Sequence, residues 1–153
     1  MHAMTQPSPE ILSELPLFGG VPELGLKRFT ETASFRVLKE GELLYEEGDP
    51  SRELFVIKSG ELQALKIRPE YTRKLAMLKA GDFFGEMSFV DMMPRSATVK
   101  ATQDTEIWVW PYTLLREMYV TDMKCYTLLV MNIAREISRR LRRSDESKRS
   151  NSR

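Results

Sequence analysis

Hydrophobic residues follow two different spacings along the chain, which separate helical ends from a strand-rich middle. Ser8-Pro9-Glu10 is typical of a helix start, because serine caps a helix and proline suits its first turn. Pro22 begins a second predicted helix. The residues expected to pack from these two short helices are Ile11, Leu12, Leu15, Leu24, Leu26 and Phe29.

Between Ser34 and Pro111 the pattern changes to short apolar segments separated by turn signals, at residues 40–41, 48–50, 59–60 and 80–82. Residues 97–102 alternate small apolar with polar side chains, which is the period of a strand with one buried face, and Glu106 to Trp110 continues the alternation. About eight strands fit without crossover helices between them. We therefore predict a mainly β fold with flanking helices, built on an antiparallel jelly-roll-like β-roll at about residues 34–110.

After Pro111 the spacing becomes helical again, and helices are predicted over about residues 111–143. Leu114, Leu115 and Met118 suit a short helix, and Thr121-Asp122 can cap a longer one that runs to about Arg143. A narrow apolar stripe follows this longer helix: Met123, Tyr126, Val130, Ile133, Ile137 and Leu141. Such a stripe packs either on a partner helix, giving a homodimer through helix 122–143, or on the β-roll itself.

The chain has 153 residues, and residues 1–143 are expected to form a single domain followed by a disordered basic tail at residues 144–153. Residues 1–134 carry 15 basic and 19 acidic side chains, whereas residues 135–153 carry 8 basic and 3 acidic ones. Affinity for nucleic acid needs clustered basic residues, so only the tail could supply it.

No segment of the sequence has the length and apolar character of a membrane span, and no signal-peptide pattern is present, so a cytoplasmic protein is expected. Cys125 is the single cysteine, which excludes an internal disulfide. The single histidine, His2, removes the usual residue of metal sites and catalytic triads. No enzyme, metal or cofactor is therefore expected.

The candidate chemistry lies in residues 81–99, where a short insertion of helical character interrupts the strands. Gly85 permits close backbone approach, and the amides of the three residues after it, Glu86, Met87 and Ser88, can converge on an anion. Arg95 supplies a guanidinium that can fork onto two phosphate oxygens. An ionised Glu86 seeks hydroxyl donors and would repel a highly charged ligand, so the set fits a cyclic phosphodiester on ribose. A triphosphate is excluded, because the chain has no lysine-bearing P-loop.

This segment resembles the phosphate-binding cassette of cyclic-nucleotide-binding domains, which occur in the bacterial catabolite-activator family, in cyclic-nucleotide-dependent kinase regulatory subunits and in cyclic-nucleotide-gated channels. Phe84-Gly85-Glu86 followed by Pro94-Arg95-Ser96-Ala97 carries the resemblance, with the spacing of the kinase subunits. It covers about residues 15–143, since Gly41-Glu42, Gly48-Asp49, Phe55-Val56-Ile57 and Ser59-Gly60 also fall where the family has turns and a central strand.

The resemblance implies a role for each matching residue. Glu86 would accept the ribose 2′-hydroxyl, and Arg95 would pair with the cyclic phosphate. The backbone amides around Gly85, Met87, Ser96 and Ala97 would cradle that phosphate. Ser96 favours cyclic AMP over cyclic GMP, because members that prefer cyclic GMP often have threonine there.

The purine and the lid are predicted less directly. Leu75 and Leu78 resemble family positions that pack on the base, although core packing is the better explanation for each residue taken individually. The helix matching residues 122–143 would act as a lid and, in the catabolite-activator branch, as the dimer seam. Arg139, Arg140 and Arg143 lie where such a lid could reach the ligand, or they form a solvated basic helix end.

The predicted function is a non-enzymatic receptor for a cyclic nucleotide, with cyclic AMP favoured and cyclic GMP as the other candidate, whose C-terminal helices move on binding. One alternative is a degenerate fold that binds an unknown protein partner, with Glu86 and Arg95 as a buried ion pair. Another is the sensor fragment of a larger transcription regulator. This chain alone is not expected to bind DNA.

Overall fold

The computed structural model describes residues 5–151, so His2 lies outside the described part of the chain. Two short helices open the fold, α1 (Pro9–Ser13) and α2 (Glu23–Thr32), with a 3-10 turn at Pro16–Phe18 between them. The Ile11 amide donates to Ser8 Oγ at 3.2 Å, which confirms the predicted cap. Leu24 is 82% exposed instead of packed, because it lies about 200° around the helix from the buried Leu26.

Eight strands form two four-stranded antiparallel sheets, which confirms the predicted fold class. One sheet has the order β1-β8-β3-β6 and the other has the order β2-β7-β4-β5. The strands are β1 (Ser34–Leu38), β2 (Leu43–Tyr45), β3 (Glu53–Ser59), β4 (Glu61–Ile67), β5 (Thr72–Lys79), β6 (Phe83–Phe84), β7 (Thr98–Ala101) and β8 (Thr105–Pro111).

Strands β3 and β8 of the first sheet are buried on both faces, which corrects the predicted one-sided alternation of residues 106–110. Phe55 on β3 and Val109 on β8 belong to the interior between the sheets. Their neighbours Val56 and Trp108 belong to a second core beneath the helices. A strand that is buried on both faces has consecutive apolar residues, as β3 has at residues 54–57 and β8 has at residues 107–110.

A short helix, α3 (Met87–Asp91), lies between β6 and β7. Two further helices follow the last strand: α4 (Tyr112–Thr121) and α5 (Met123–Asn151). The predicted cap is confirmed, since the Cys125 amide donates to Asp122 Oδ1 at 3.2 Å. Residues of the predicted stripe divide along α5. Ile133 is buried and Tyr126 and Ile137 pack on the helical core, whereas Met123 and Leu141 are exposed. The middle of the stripe therefore packs on the helical core.

The long helix continues through residues 144–151, which were predicted to be disordered. No glycine or proline interrupts residues 121–151, and the acidic pair at 145–146 lies one turn before the basic pair at 148–149. Residues 152–153 of the predicted tail lie outside the described range. None of the helices within residues 5–151 is long and apolar enough to cross a membrane.

Candidate ligand-binding site

The cassette begins where β6 ends and turns into α3 (Met87–Asp91), a five-residue helix. Gly85 makes this turn with a φ of 86°, in the left-handed region that favours glycine. A Cβ atom there would lie 2.9 Å from Arg95 Nη1 and 3.0 Å from the Glu53 carbonyl oxygen. The absence of a side chain at Gly85 therefore allows the arginine to lie against the backbone.

Arg95 is a buried guanidinium, 6% exposed, that is held by neutral groups alone. Its Nη1 donates to the Gly85 carbonyl at 3.3 Å and its Nη2 to the Glu53 carbonyl at 3.0 Å. Its Nε has no hydrogen-bond partner among the described residues, and none of the ion pairs within residues 5–151 includes Arg95. A buried charge without a carboxylate partner is unfavourable by itself, so an anionic ligand would stabilise this guanidinium.

Glu86 is 1% exposed and pairs with α5 rather than with Arg95. Arg140 Nη1 lies 2.6 Å from Glu86 Oε1, and Arg140 Nη2 donates to the Phe83 carbonyl. Burial raises the pKa of the Glu86 carboxyl, and the charge of Arg140 opposes that rise. The ion pair between Glu86 and Arg95 expected for a degenerate fold is absent, since Glu86 has a different partner.

A cavity lies between the cassette, the β4–β5 face of the second sheet and α5, with a volume of about 120 Å³. Eight of the nine predicted site residues line it: Gly85, Glu86, Met87, Ser88, Arg95, Ser96, Ala97 and Leu78. The sequence interpretation missed Tyr45, Ala64, Ala76, Phe84 and Val99 as lining residues and left Arg140 open.

Leu75 does not line the cavity, and its side chain is 43% exposed. Side chains alternate between the two faces of a strand, so residues three apart point to opposite faces. Leu78 points inward, and Ala76 therefore shares its face while Leu75 does not. We accordingly assign no purine contact to Leu75.

The far end of the cassette is fastened to β4 by a charged cluster. Lys66 Nζ donates to the Ser96 carbonyl and lies 2.9 Å from Glu47 Oε1, and Arg68 Nη1 lies 2.8 Å from Glu47 Oε2. Hydrogen bonds from Arg68 and Lys66 lower the pKa of Glu47 to about 2. The Glu47 amide donates to Thr98 Oγ1 at 3.1 Å, so the turn before β3 and the strand after the cassette are held together.

The near end of the cassette is fastened to α4 through Tyr112. Its hydroxyl donates to the Gly85 carbonyl and lies 2.7 Å from Ser51 Oγ. Tyr112 is the first residue of α4, so the start of this helix contacts the glycine turn directly. Nothing in the sequence spacing identifies this contact, since 27 residues separate the two partners.

The fold and the cavity define a β-roll in which a buried cation and a buried carboxylate line one small cavity. Residues 35–122 match the family model described as "Cyclic nucleotide-binding domain". That match spans more than half of the chain. The chain therefore belongs to the cyclic nucleotide-binding domain family.

Named relatives and solved structures agree with this membership. The chain is 34% identical to the cyclic AMP receptor protein of Thermus thermophilus over 135 residues, covering 85% of this chain and 59% of that protein. The catabolite activator protein structure from the same organism has a TM-score of 0.71 at 30% identity, covering 90% of this chain and 63% of that one. A cyclic nucleotide-binding domain from Methylobacillus flagellatus reaches 0.79 at 27% identity, covering 90% and 78%.

A kinase subunit shows the same relationship over a shorter stretch. The chain is 28% identical to the cAMP-dependent protein kinase regulatory subunit of Hypocrea atroviridis over 96 residues. That alignment covers 63% of this chain and 20% of the kinase subunit. The chain thus spans three fifths or less of the curated relatives named here.

Proposed function

We propose that this domain is a receptor for a cyclic nucleotide, with cyclic AMP as its ligand, and that binding changes how α5 docks on the cassette. One observation carries the proposal. Arg95 is a buried cation without a carboxylate partner, and it lines the same cavity as the buried carboxylate of Glu86. A ligand with one negative charge beside a hydroxyl group satisfies both side chains.

In the bound state the cyclic phosphate pairs with Arg95, whose Nε is available for a hydrogen bond. The ribose hydroxyl donates to the Glu86 carboxylate, and the amides of Ser96 and Ala97 contribute to the phosphate side of the cavity. Apolar groups of Ala64, Ala76, Leu78 and Val99 line the cavity and suit the purine. These roles follow the family pattern wherever this sequence matches it.

Two observations support cyclic AMP over cyclic GMP. The position after Arg95 is Ser96 instead of threonine. The Thermus relative carries the name of a cyclic AMP receptor, and the fungal relative is named as cAMP-dependent.

Coupling to the helices is supported by Arg140. This side chain joins α5 to the carboxylate that the ribose would use. A ligand that prefers one arrangement of α5 tenfold shifts the equilibrium between arrangements by about 1.4 kcal/mol. The α5 position would therefore report occupancy of the cavity.

Calorimetric titration with cyclic AMP and cyclic GMP tests the function. The wild-type domain should bind cyclic AMP more tightly, and Arg95→Gln should weaken binding by about 2 to 5 kcal/mol, the range for truncating one side of a buried charge pair. Arg116→Gln is the matched control, because Arg116 is exposed and outside the cavity. No binding heat from either nucleotide with wild-type protein would overturn the proposal.

We also propose that α5 can form a homodimer seam. Met123, Met131 and Leu141 lie on one side of this helix and are 49%, 46% and 63% exposed. Light scattering during gel filtration should then give the mass of a dimer. Leu141→Lys places a charge in the seam and should lower the measured mass towards that of a monomer. A monomeric mass for the wild type at micromolar concentration would contradict this assignment.

A further inference from the structure

Tyr45 contributes its aromatic side chain to the cavity lining, and the cassette pattern gives it no role. It is the last residue of β2 and lies outside the cassette in sequence, yet its side chain lines the cavity with Arg95 and Glu86. Its hydroxyl forms no hydrogen bond with any of residues 5–151, although the side chain is partly buried. A polar group in this position favours a ligand that completes its hydrogen bonding.

The ring of Tyr45 also fixes the plane of the Arg95 guanidinium. Its centroid lies 4.2 Å from Arg95 Cζ, and the Phe55 ring lies 5.2 Å from the same atom. The two rings are themselves 5.9 Å apart. Aromatic rings attract a cation to their faces, which leaves the N–H groups at the edge of the guanidinium for acceptors. Two of these groups reach backbone carbonyls, and Nε has no partner among the described residues.

The Tyr45 hydroxyl remains a donor at neutral pH. Burial raises its pKa to about 12, an effect that the Arg95 charge opposes and the Glu86 charge reinforces. A protonated hydroxyl beside a fixed guanidinium is suited to an anion, because both groups can donate to neighbouring oxygens of one phosphate.

We propose that Tyr45 is a ligand-contacting residue whose ring orients Arg95 and whose hydroxyl donates a hydrogen bond to the phosphate that Arg95 binds. This inference rests on the proposed function, since it names a further residue of the same site. It extends the phosphate site from the cassette to a strand 50 residues earlier in the chain.

Two substitutions separate the hydroxyl from the ring. Tyr45→Phe keeps the ring and should weaken cyclic AMP binding about tenfold, as expected for one hydrogen bond to a charged group. Tyr45→Leu removes the ring as well and should weaken binding further. Tyr71→Phe removes the hydroxyl of a tyrosine that is 54% exposed in the β4–β5 hairpin, and it should bind as the wild type does.

Adenosine provides a readout that a merely structural role would not change. It has no phosphate, so wild type and Tyr45→Phe should have the same affinity for adenosine in competition against cyclic AMP. Melting curves identify any variant that fails to fold. If Tyr45→Leu unfolds, Tyr45→Phe alone decides the outcome.

The possible failures are distinguishable. Unchanged cyclic AMP affinity in Tyr45→Phe overturns the inference and leaves the proposed function standing. An equal loss for adenosine and cyclic AMP overturns the phosphate contact. If the wild type binds neither cyclic nucleotide, the proposed function fails and the inference fails with it.

Discussion

Gly85 determines where the charge of Arg95 can lie. Two features disfavour any other residue here. The φ of 86° is unfavourable for a residue with a side chain, and a Cβ atom would lie only 2.9 Å from Arg95 Nη1. Gly41 has a nearly equal φ of 89°, with no atom within 4 Å of its hypothetical Cβ. The two glycines therefore separate backbone strain from steric conflict.

Alanine at each glycine should test this distinction. Gly41→Ala should lower the free energy of unfolding by about 1 to 2 kcal/mol, which is the cost of the left-handed conformation. Gly85→Ala should lower it further and weaken cyclic nucleotide binding, because Arg95 has to move. Urea unfolding and calorimetry measure the two effects. Equal losses of stability with unchanged binding would show that Gly85 serves the turn alone.

The sequence predicts which cassette residues line the cavity and misses their contacts with remote parts of the chain. Gly85, Glu86 and Arg95 fall within eleven residues, so their common purpose is readable from spacing. Tyr45 comes 50 residues before Arg95, and only the β-roll brings the two together. The prediction that Leu75 faces the cavity together with Leu78 is wrong for a simpler reason, since residues three apart in a strand point to opposite faces of the sheet.

At the scale of elements, the cassette is fastened to three neighbours. Lys66 on β4 binds its end, Tyr112 on α4 binds its beginning, and Arg140 on α5 binds Glu86 between them. The predicted element order is confirmed. The three contacts that hold the cassette join side chains to residues 27 to 54 positions away, and hydrophobic periodicity does not predict such contacts.

The Glu47 cluster should give stability that depends on pH. The folded pKa of Glu47 is about 2, below its usual 4.5, so the stabilisation is complete above pH 4.5 and disappears as pH falls through 2. The difference in unfolding free energy between wild type and Glu47→Gln should therefore shrink across that interval. Urea unfolding at a series of pH values measures it. Glu46→Gln is the control, since the Glu46 side chain forms no ion pair within residues 5–151, and an identical profile for both variants would contradict the assignment.

Of Arg139, Arg140 and Arg143, only Arg140 forms an ion pair with the cassette among the described residues. Arg140→Gln leaves the buried Glu86 without its partner and should lower stability by about 1.5 to 3 kcal/mol, the range for a hydrogen bond to a charged group. It should also speed amide hydrogen exchange in the second half of α5. Arg139→Gln removes only an exposed contact to Glu136 and should change stability by less than about 1 kcal/mol. Similar effects of both variants would mean that Arg140 does not hold the helix.

At the scale of the whole molecule, two cores share one sheet. Phe18, Phe29 and Trp110 pack edge to face with centroids 5.0 to 5.7 Å apart, joining the N-terminal helices to β8. The helical core also contains Ile133 of α5. The N-terminal segment, the sheet and the long helix therefore share one packed core within residues 5–151.

Asn132 provides a polar connection within that unit. Its Nδ2 donates to the Leu17 carbonyl at 2.9 Å and to the Gly19 carbonyl at 3.0 Å, at a position that is 6% exposed. Asn132→Ala leaves both carbonyls unpaired and should lower the free energy of unfolding by about 1 to 3 kcal/mol. Thr127→Ala, on the exposed side of α5, should have little effect. Equal urea midpoints for Asn132→Ala and wild type would contradict this role.

The last part of α5 is exposed beyond its contact with the cassette. Arg140 is the last residue of this helix for which a contact with the cassette is described, and residues 141–149 are all exposed. The eleven helical residues from 141 to 151 extend about 16 Å at 1.5 Å per residue. A tilt of about 10° pivoting at Arg140 would carry the tip of such a rod roughly 3 Å. A small rotation of α5 at Glu86 would thus displace the far end of the helix by roughly 3 Å, which is enough to change its contacts with a neighbouring surface.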